Sequence, residues 1–401
     1  MAASYKAPGV YVEEVPTAAP ITGVGTSTAA FIGVWPDPWP DPSAAEPDRT
    51  AILATMTRAA RIGDIVPCTN FTDFKQAFGD YSAANRRQNQ LAHAVRGFFD
   101  NGGTFCYVAR VATEGDIGTV VLAKLEAYDD IAMIAAPGVP ADVTQKAAIS
   151  AIIDHCTKMA DRIAIFDAPL TVTDPLRDLR PMLPGGANAL YPASDFAAVY
   201  TPWVNVYDAA TSTTVAVPPS GHIAGIYART DATRGVHKAP ANEQVLGAIS
   251  PSIQIGKAQQ AEVNLIGGNC IRVMNGALKV WGARTLAGDS SLHKYVPIRR
   301  LLSFLYKSID HGTQWAVFEP NGPDLWARVI RNVGSFLTSV WAQGALAGSV
   351  AQEAFYVKCD AENNPPDQRA NGLLVIEVGV ATVFPAEFVV FRIQQFTGPI
   401  K

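Results

Sequence analysis

Asp154, His155 and Cys156 put an acid, a base and a thiol in three consecutive positions, the residue types a nucleophilic site uses. Their spacing argues against such a site. They lie in a helical pattern, where neighbours point about 100° apart and do not face one another, and a cysteine on the apolar side of a helix reads as core. Asp310 and His311 close another helical pattern, where a cation complements the helix dipole. Gly23-Val24-Gly25 has part of a dinucleotide loop, but the third glycine is missing and the loop precedes the apolar run instead of following it. Leu265-Ile266-Gly267-Gly268-Asn269-Cys270 is glycine-rich and reads as a tight turn. No G-x-x-x-x-G-K-[ST] and no H-E-x-x-H occurs, and His93, His155, His222, His237, His293 and His311 have no ligand spacing. Cys68, Cys106, Cys156, Cys270 and Cys359 are scattered, without C-x-x-C, and read as reduced, buried thiols of a cytosol. The expectation is no catalytic residue, no cofactor and no metal.

One charge pattern carries more. Arg328 and Arg331 are the only charged residues between Asp324 and Glu353. Both fall on the polar face of a long helical pattern, and the preceding helix carries Arg299, Arg300 and Lys307 on what reads as its exposed side. Two readings stand: a solvated helix face, or a basic patch that docks on an acidic protein surface. The net charge of -4 excludes a strongly basic nucleic-acid binder.

The elements that position these residues belong to a chain of 401 residues, a length that favours two or three domains. Hydrophobic residues make up 48%, enough for sizeable cores, while charged residues make up only 17%, against about 25% in a typical soluble domain. Part of the surface is therefore expected to be covered by something other than water, and self-assembly is the simplest cover. The first twenty residues have neither a basic n-region nor an apolar h-region. Residues 333–352 are uncharged and long enough to span a membrane, but Ser335, Thr338, Ser339, Gln343, Ser349 and three glycines interrupt them, and the apolar positions form a helical stripe.

Val10, Val12 and Val15 lie among Tyr11, Glu13 and Glu14 between Pro8 and Pro16, which predicts a short strand with no hairpin partner and so a need for an external sheet. Residues 26–34 read as a buried strand, and 35–48, with five prolines, as an exposed rigid excursion. Asn70 or Thr72 caps a helix that runs through Phe78 to Gly79. Residues 85–99 form a helix with Leu91, Val95, Phe98 and Phe99 inside and Arg86, Arg87, Gln90 and Arg96 outside, stopped by Asn101-Gly102-Gly103. Strand and helix then alternate at 105–111, 118–128, 131–135, 143–159 and 162–166, the mark of βαβ units and a mostly parallel sheet, and 196–206 reads as a further strand. After about 285 come a helix with the stripe Ile298, Leu301, Leu302, Leu305 and Ile309, a strand at 313–318, and a long helix opened by Pro323 and Asp324. Its stripe is Leu325, Val329, Val333, Phe336, Leu337, Val340 and Trp341. Strands at 354–359 and 373–380 follow, then an extended run at 387–395 in which Val389, Phe391 and Ile393 alternate with Val390, Arg392 and Gln394. The expected fold is an α/β sheet domain over 23–284 and an α+β domain over 285–384, between extended arms at 1–22 and 385–401.

The longest of these stretches resemble contractile tail sheath proteins. YKAPGVYVEEV and ITGVGTSTAAFIG are similar to the family's opening; FTDFKQAFGDY, AVRGFFDNGGTFCYVARV and VPPSGHIAGIYARTDATRGVHKAPAN continue it. CIRVMNGALKVWGARTL, YVPIRRLLSFLYKSIDHGTQWAVFEPNGPDLWARV, AFYVKCD and PAEFVVFRIQQ complete it, leaving 35–60 and 170–195 as family-variable loops. The resemblance implies a structural subunit that polymerises as stacked rings of six around an inner tube and contracts to drive that tube through a target envelope. It implies arms that exchange strands with neighbouring subunits, here Val10, Tyr11, Val12 and Val15, and Val389, Val390, Phe391 and Ile393. It maps the family's tube-facing helix onto 324–341, with Arg328 and Arg331. The implied partners are further copies, the inner tube, and baseplate and terminator or cap proteins, with no direct nucleic-acid contact and no membrane insertion. Assembly is implied in the bacterial cytoplasm, as part of a phage tail or injection particle. Asn275-Gly276-Ala277 stands where the family often has an arginine-containing turn. The alternatives are an enzyme on the βαβ domain with an active site that no motif marks, and a membrane-inserting protein built on 333–352.

Overall fold

The run TAAFIGV becomes strand β1 (Thr28–Val34), six of whose seven residues are buried, in a computed structural model that describes residues 20–35, 53–139, 145–388 and 390. A strand without a polar face is one covered on both sides. Ala29 and Phe31 enter one core, and Ala30, Ile32 and Val34 the other. The strands that follow are β2 (Ile65–Cys68), β3 (Cys106–Val111), β4 (Ile131–Ala135), β5 (Ile163–Asp167), β6 (Ala197–Thr201), β7 (Val204–Asp208), β8 (Thr213–Val217), β9 (Glu243–Gln244), β10 (Ser250–Pro251), β11 (Gly268–Met274) and β12 (Ala277–Trp281). Nine of them form one sheet in the order β2-β3-β1-β4-β5-β6-β11-β12-β9. It is parallel from β3 to β11 and antiparallel at both edges. Strands β10, β7 and β8 make a second, small sheet.

The chain steps from β1 outward to β3, then back past β1 to β4, β5 and β6. Crossovers of one hand then require helices on opposite faces for the two directions. Helix α1 (Phe71–Phe78) and helix α2 (Arg86–Asp100) lead to β3 and supply Phe74, Leu91, Val95 and Phe98 to one core. A widened helical turn over Ile117–Leu122 and helix α3 (Lys146–Met159) lead to β4 and β5, and supply Val121, Ile149, Ile152 and Cys156 to the other. Helix α4 (Ser220–Arg234) joins the first face against α2. The two approach until a Cβ on Gly221 would overlap the Ala94 carbonyl, and one on Gly225 the Phe98 carbonyl. Helix α5 (Lys257–Leu265) precedes β11, and the β11–β12 hairpin turns through Asn275 and Gly276 at φ 52° and 78°, the left-handed pair that a two-residue turn of this hand demands.

Helix α6 (Val296–Thr313) runs out of this part of the chain, and helix α7 (Pro323–Ala342) follows. Two compact units result. One holds Gly23–Lys307 with the residues from Thr382 onward; the other holds Ser308–Ala381 with the residues up to 22. In the second unit α7 buries Leu325, Val329, Val333, Phe336, Leu337 and Val340. Beside it β13 (Phe355–Lys358) and β14 (Glu377–Val380) pair as an antiparallel two-stranded ribbon.

Several expectations change. The strand expected over 196–206 divides into β6 and β7, in different sheets, because Pro202 between them has no N–H to donate to a ladder. Gln90, placed outside α2 by its polarity, is buried against Gly138. Residues 313–318 form the end of α6 and a short 3-10 turn instead of a strand, since a lone strand there has no ladder to satisfy its backbone. The stretch 373–380 is strand only over its last four residues. The uncharged run 333–352 leaves the helix after Ala342 and turns at Gly344 with φ 78°. Among the described residues no helix is long and apolar enough to cross a membrane.

Candidate assembly surfaces

The two arginines that the helical pattern set apart have different surroundings. The Arg328 guanidinium lies 4.5 Å from the Trp315 ring centroid, and its Nη1 donates to Glu319 Oε2 at 3.2 Å. An exposed pair of this kind contributes about 0.2–1 kcal/mol, and the stacking a similar amount. Arg331, one turn on, is exposed, and its side chain has no hydrogen bond or ion pair with any described residue. Of the two, Arg331 is the freer charge.

The cations of the preceding helix are not exposed, which corrects their sequence placement. Arg300 is 5% exposed and grips Asp231 with two bonds, Nη1 to Oδ1 at 2.8 Å and Nη2 to Oδ2 at 2.6 Å, while its guanidinium lies 4.8 Å from the Tyr227 ring centroid. Nη2 also donates to Thr26 O at 2.9 Å. Lys307 donates to Asp161 Oδ2 at 2.7 Å, and Arg162 donates to both oxygens of the same carboxylate. Arg299 donates to Asp195 at 3.1 Å and packs over Phe196. These charges fasten α6 to the sheet domain. A helical pattern alone could not show it, because the partners are 69 to 146 residues away in sequence.

The expected arm strands fall mostly outside the described residues: Val10, Tyr11, Val12 and Val15 do, and so do Val389, Phe391 and Ile393. Val390 is 78% exposed and belongs to no strand. The approach to the C-terminal arm is well defined, however. The Glu387 carboxylate accepts from Arg284 Nε at 2.9 Å and Nη2 at 2.7 Å, from Asn264 Nδ2 at 2.5 Å and from Tyr295 Oη at 2.8 Å. The β13–β14 ribbon offers the complementary feature. Among the described residues neither outer edge pairs with a further strand, and two strands alone are marginal in water.

The sequence's suspected chemical groups turn out to be structural. Cys156 is in the core and burial pushes its thiol up to about 12. His155 is held down to about 4 by burial and by the neighbouring Arg162. Gly267, at φ 91°, makes the tight turn into β11, whose Cys270 is buried. No group of three or more His, Cys, Asp or Glu among the described residues could hold a metal ion. One buried group had no sequence signal. Asp167, at the end of β5, accepts from Ser220 N at 2.6 Å, Ser220 Oγ at 2.8 Å and Gly138 N at 3.4 Å, and burial pushes its carboxyl up to about 7. It ties the loop after β4 to the first turn of α4.

Comparison with known proteins decides what this scaffold is. Residues 111–286 match the phage tail sheath protein central domain, and residues 289–396 the phage tail sheath C-terminal domain. The chain belongs to the contractile tail sheath family. It superposes with a TM-score of 0.75 and 27% identity on the PVC sheath complex of an extracellular contractile injection system in the contracted state, covering 98% of each chain. The contracted helical sheath of the anti-feeding prophage gives the same TM-score at 28% identity, over 98% of this chain and 100% of that one. The tail sheath protein of Burkholderia phage BcepMu is 26% identical over 264 residues, 64% of this chain and 54% of that protein. The chain spans 54% and 64% of the lengths of two curated relatives. Sheath proteins are structural subunits of tail-like machines, not enzymes. The sheath-matching parts include both the Arg331 helix and the Glu387 segment.

Proposed function

We propose that this sheath protein polymerises with copies of itself as stacked rings of six around an inner tube, and that the polymer shortens to drive the tube through a target envelope. The observation that carries the reading is the superposition of nearly the whole chain on sheath subunits of contracted injection systems at 27–28% identity. Arms at 1–22 and 385–401 link the lattice by adding strands to a neighbour's sheet, through Val10, Tyr11, Val12 and Val15 at one end and Val389, Val390, Phe391 and Ile393 at the other. The open edges of β13 and β14 are the acceptors best suited to them: main-chain hydrogen bonds supply affinity and alternate side chains set register. The helix 324–341 faces the tube, and Arg331, with Arg328 beside it, meets an acidic tube surface. Baseplate and cap proteins terminate the polymer. The particle is a phage tail or an injection particle, built in the bacterial cytoplasm.

The test is electron microscopy of the chain expressed with its tube partner, as wild type and with residues 1–17 deleted. Striated cylinders from the wild type, and folded but unassembled subunits from the deletion, are expected. Discrete particles from the wild type would overturn the sheath reading, and full-length cylinders from the deletion would overturn the arm exchange.

A further inference from the structure

We propose that Glu387 and Arg284 are the anchor that fixes where the C-terminal arm leaves the subunit, making them positioning residues for strand exchange with a second copy; this rests on the sheath reading. The anchor is built from rigid parts. Arg284 follows β12, Asn264 is in the last turn of α5, and Tyr295 directly precedes α6. Arg284 is itself held by contacts other than Glu387. Its N–H donates to Asn269 Oδ1 at 2.7 Å, its carbonyl accepts from Asn269 Nδ2 at 2.8 Å, and it bridges to Tyr295 across a short antiparallel contact. Its guanidinium lies 5.7 Å from the Tyr295 ring centroid and donates from Nη1 to Asp289 at 2.8 Å.

That leaves Nε and Nη2, the two parallel donors of the fork, for Glu387. A bidentate arginine–carboxylate pair fixes direction as well as position, which a greasy contact does not. The side chains of Arg284 and Glu387 are 4% and 18% exposed. Burial by itself would raise the Glu387 carboxyl, but the bonds from Arg284, Asn264 and Tyr295 hold it below its ordinary value. Phe384 adds an edge contact to the Tyr295 ring. The hold ends abruptly, for the next residue, Phe388, is 72% exposed and Val390 78%. An apolar, alternating sequence thus begins at a fixed point with Phe388 and Val390 uncovered, as a strand to be covered by a second copy requires. The arm is anchored to the unit that carries the large sheet, to which Thr382 onward belongs.

Full-length Glu387→Ala and Glu387→Gln, with Tyr295→Phe as a milder variant, test this in unassembled subunits and in sheaths grown with the tube partner. Arg284 keeps Asp289 in all three, so the fold is expected to persist by circular dichroism. Chymotryptic cleavage after Phe388, next to the anchor, should quicken by about tenfold in Glu387→Ala and less in the other two. Sheath number and length should fall in the same order. Unchanged cleavage at that bond overturns the anchor; so does faster cleavage with sheaths of wild-type length. If Glu387→Ala does not fold, Tyr295→Phe decides by the same two readouts. Wild-type chains that form no sheath at all would refute the sheath reading, while the cleavage measurement would still decide the anchor.

Discussion

Replacing Asp167 by asparagine should make the protein more stable at pH 8 and leave it nearly unchanged at pH 4. Burial raises this carboxyl from its ordinary 3.8 to about 7, against the opposing effect of three donors. Its folded pKa lies above its unfolded one, so the folded chain keeps the proton that the unfolded chain releases as the pH passes 4. The associated stability is complete below the unfolded value and is lost as the pH rises through the folded one. At about 1.4 kcal/mol per pH unit, the loss is about 2 kcal/mol by pH 5.5 and about 4 kcal/mol by pH 8. Asparagine imitates the protonated form: its oxygen accepts from Ser220 N and its amide donates to Ser220 Oγ, so it escapes that loss and gives up only the long bond from Gly138 N at 3.4 Å. His222 works with the opposite sign, since burial lowers it to about 4 and its contribution disappears as the pH falls from 6.5. Both chains carry it, so it cancels in the difference. Urea unfolding of wild type and Asp167→Asn, followed by circular dichroism at pH 4, 5.5, 7 and 8, gives that difference directly. A variant destabilised equally at every pH would refute the argument, showing the carboxylate ionised in the fold throughout and held by its donors.

Gly225→Ala should cost about 2 kcal/mol and lower the melting temperature by several degrees, because the new methyl meets the Phe98 carbonyl, which belongs to a packed helix and cannot yield; differential scanning calorimetry reads it. Arg331→Glu should reduce extended, tube-filled particles more than Arg328→Glu does, since Arg328 already spends its charge on Glu319; counts of filled and empty sheaths by electron microscopy compare them. Raised salt should act in the same direction as Arg331→Glu, with a Debye length near 10 Å at 0.1 M. Purified particles should contract without nucleotide or divalent cation when triggered, as a metastable lattice needs only a kinetic barrier; contraction that stops until ATP is restored would refute this.

Much of the scaffold was legible because local pattern and final environment coincide. Asn70 caps α1 through Thr72 N and Asp73 N, Asn85 caps α2 through Gln88 N, and the apolar run at β1 is buried on both faces. The βαβ alternation gave a mostly parallel sheet, and the stripe of α7 gave its buried face. What failed to show was set by distance along the chain. Gln90 is buried against Gly138, and Asp167 is buried where it meets Ser220, 53 residues on. The Glu387 anchor joins residues 92 to 123 apart. The Asn275-Gly276 hairpin was different, since its signal was present in the dipeptide and lay between two alternating runs.

The same long-range pairing lowers further the charge that a chain with only 17% charged residues presents to solvent. Arg299, Arg300, Lys307, Arg162 and Arg284 are all spent on carboxylates inside or at the edge of the sheet domain, so the chain's modest stock of charge is reduced further where it meets solvent. A buried pair of this kind adds little net stability over an apolar replacement, but it is very costly to leave half-made, which fixes geometry more than it adds strength. For a sheath subunit that division is useful. A domain whose helices are pinned by geometrically exacting pairs keeps its shape under load, and in the proposed lattice the weak or renewable contacts are made elsewhere. The contact proposed for exposed Arg331 would be of the weak kind, about 0.2–1 kcal/mol per copy and screened by salt. An added strand is of the other kind, about 0.5–1.5 kcal/mol for each of its main-chain bonds and scarcely dependent on salt. A lattice that uses strands between sheath subunits and single charges toward the tube can therefore release the tube at every ring while its own links hold.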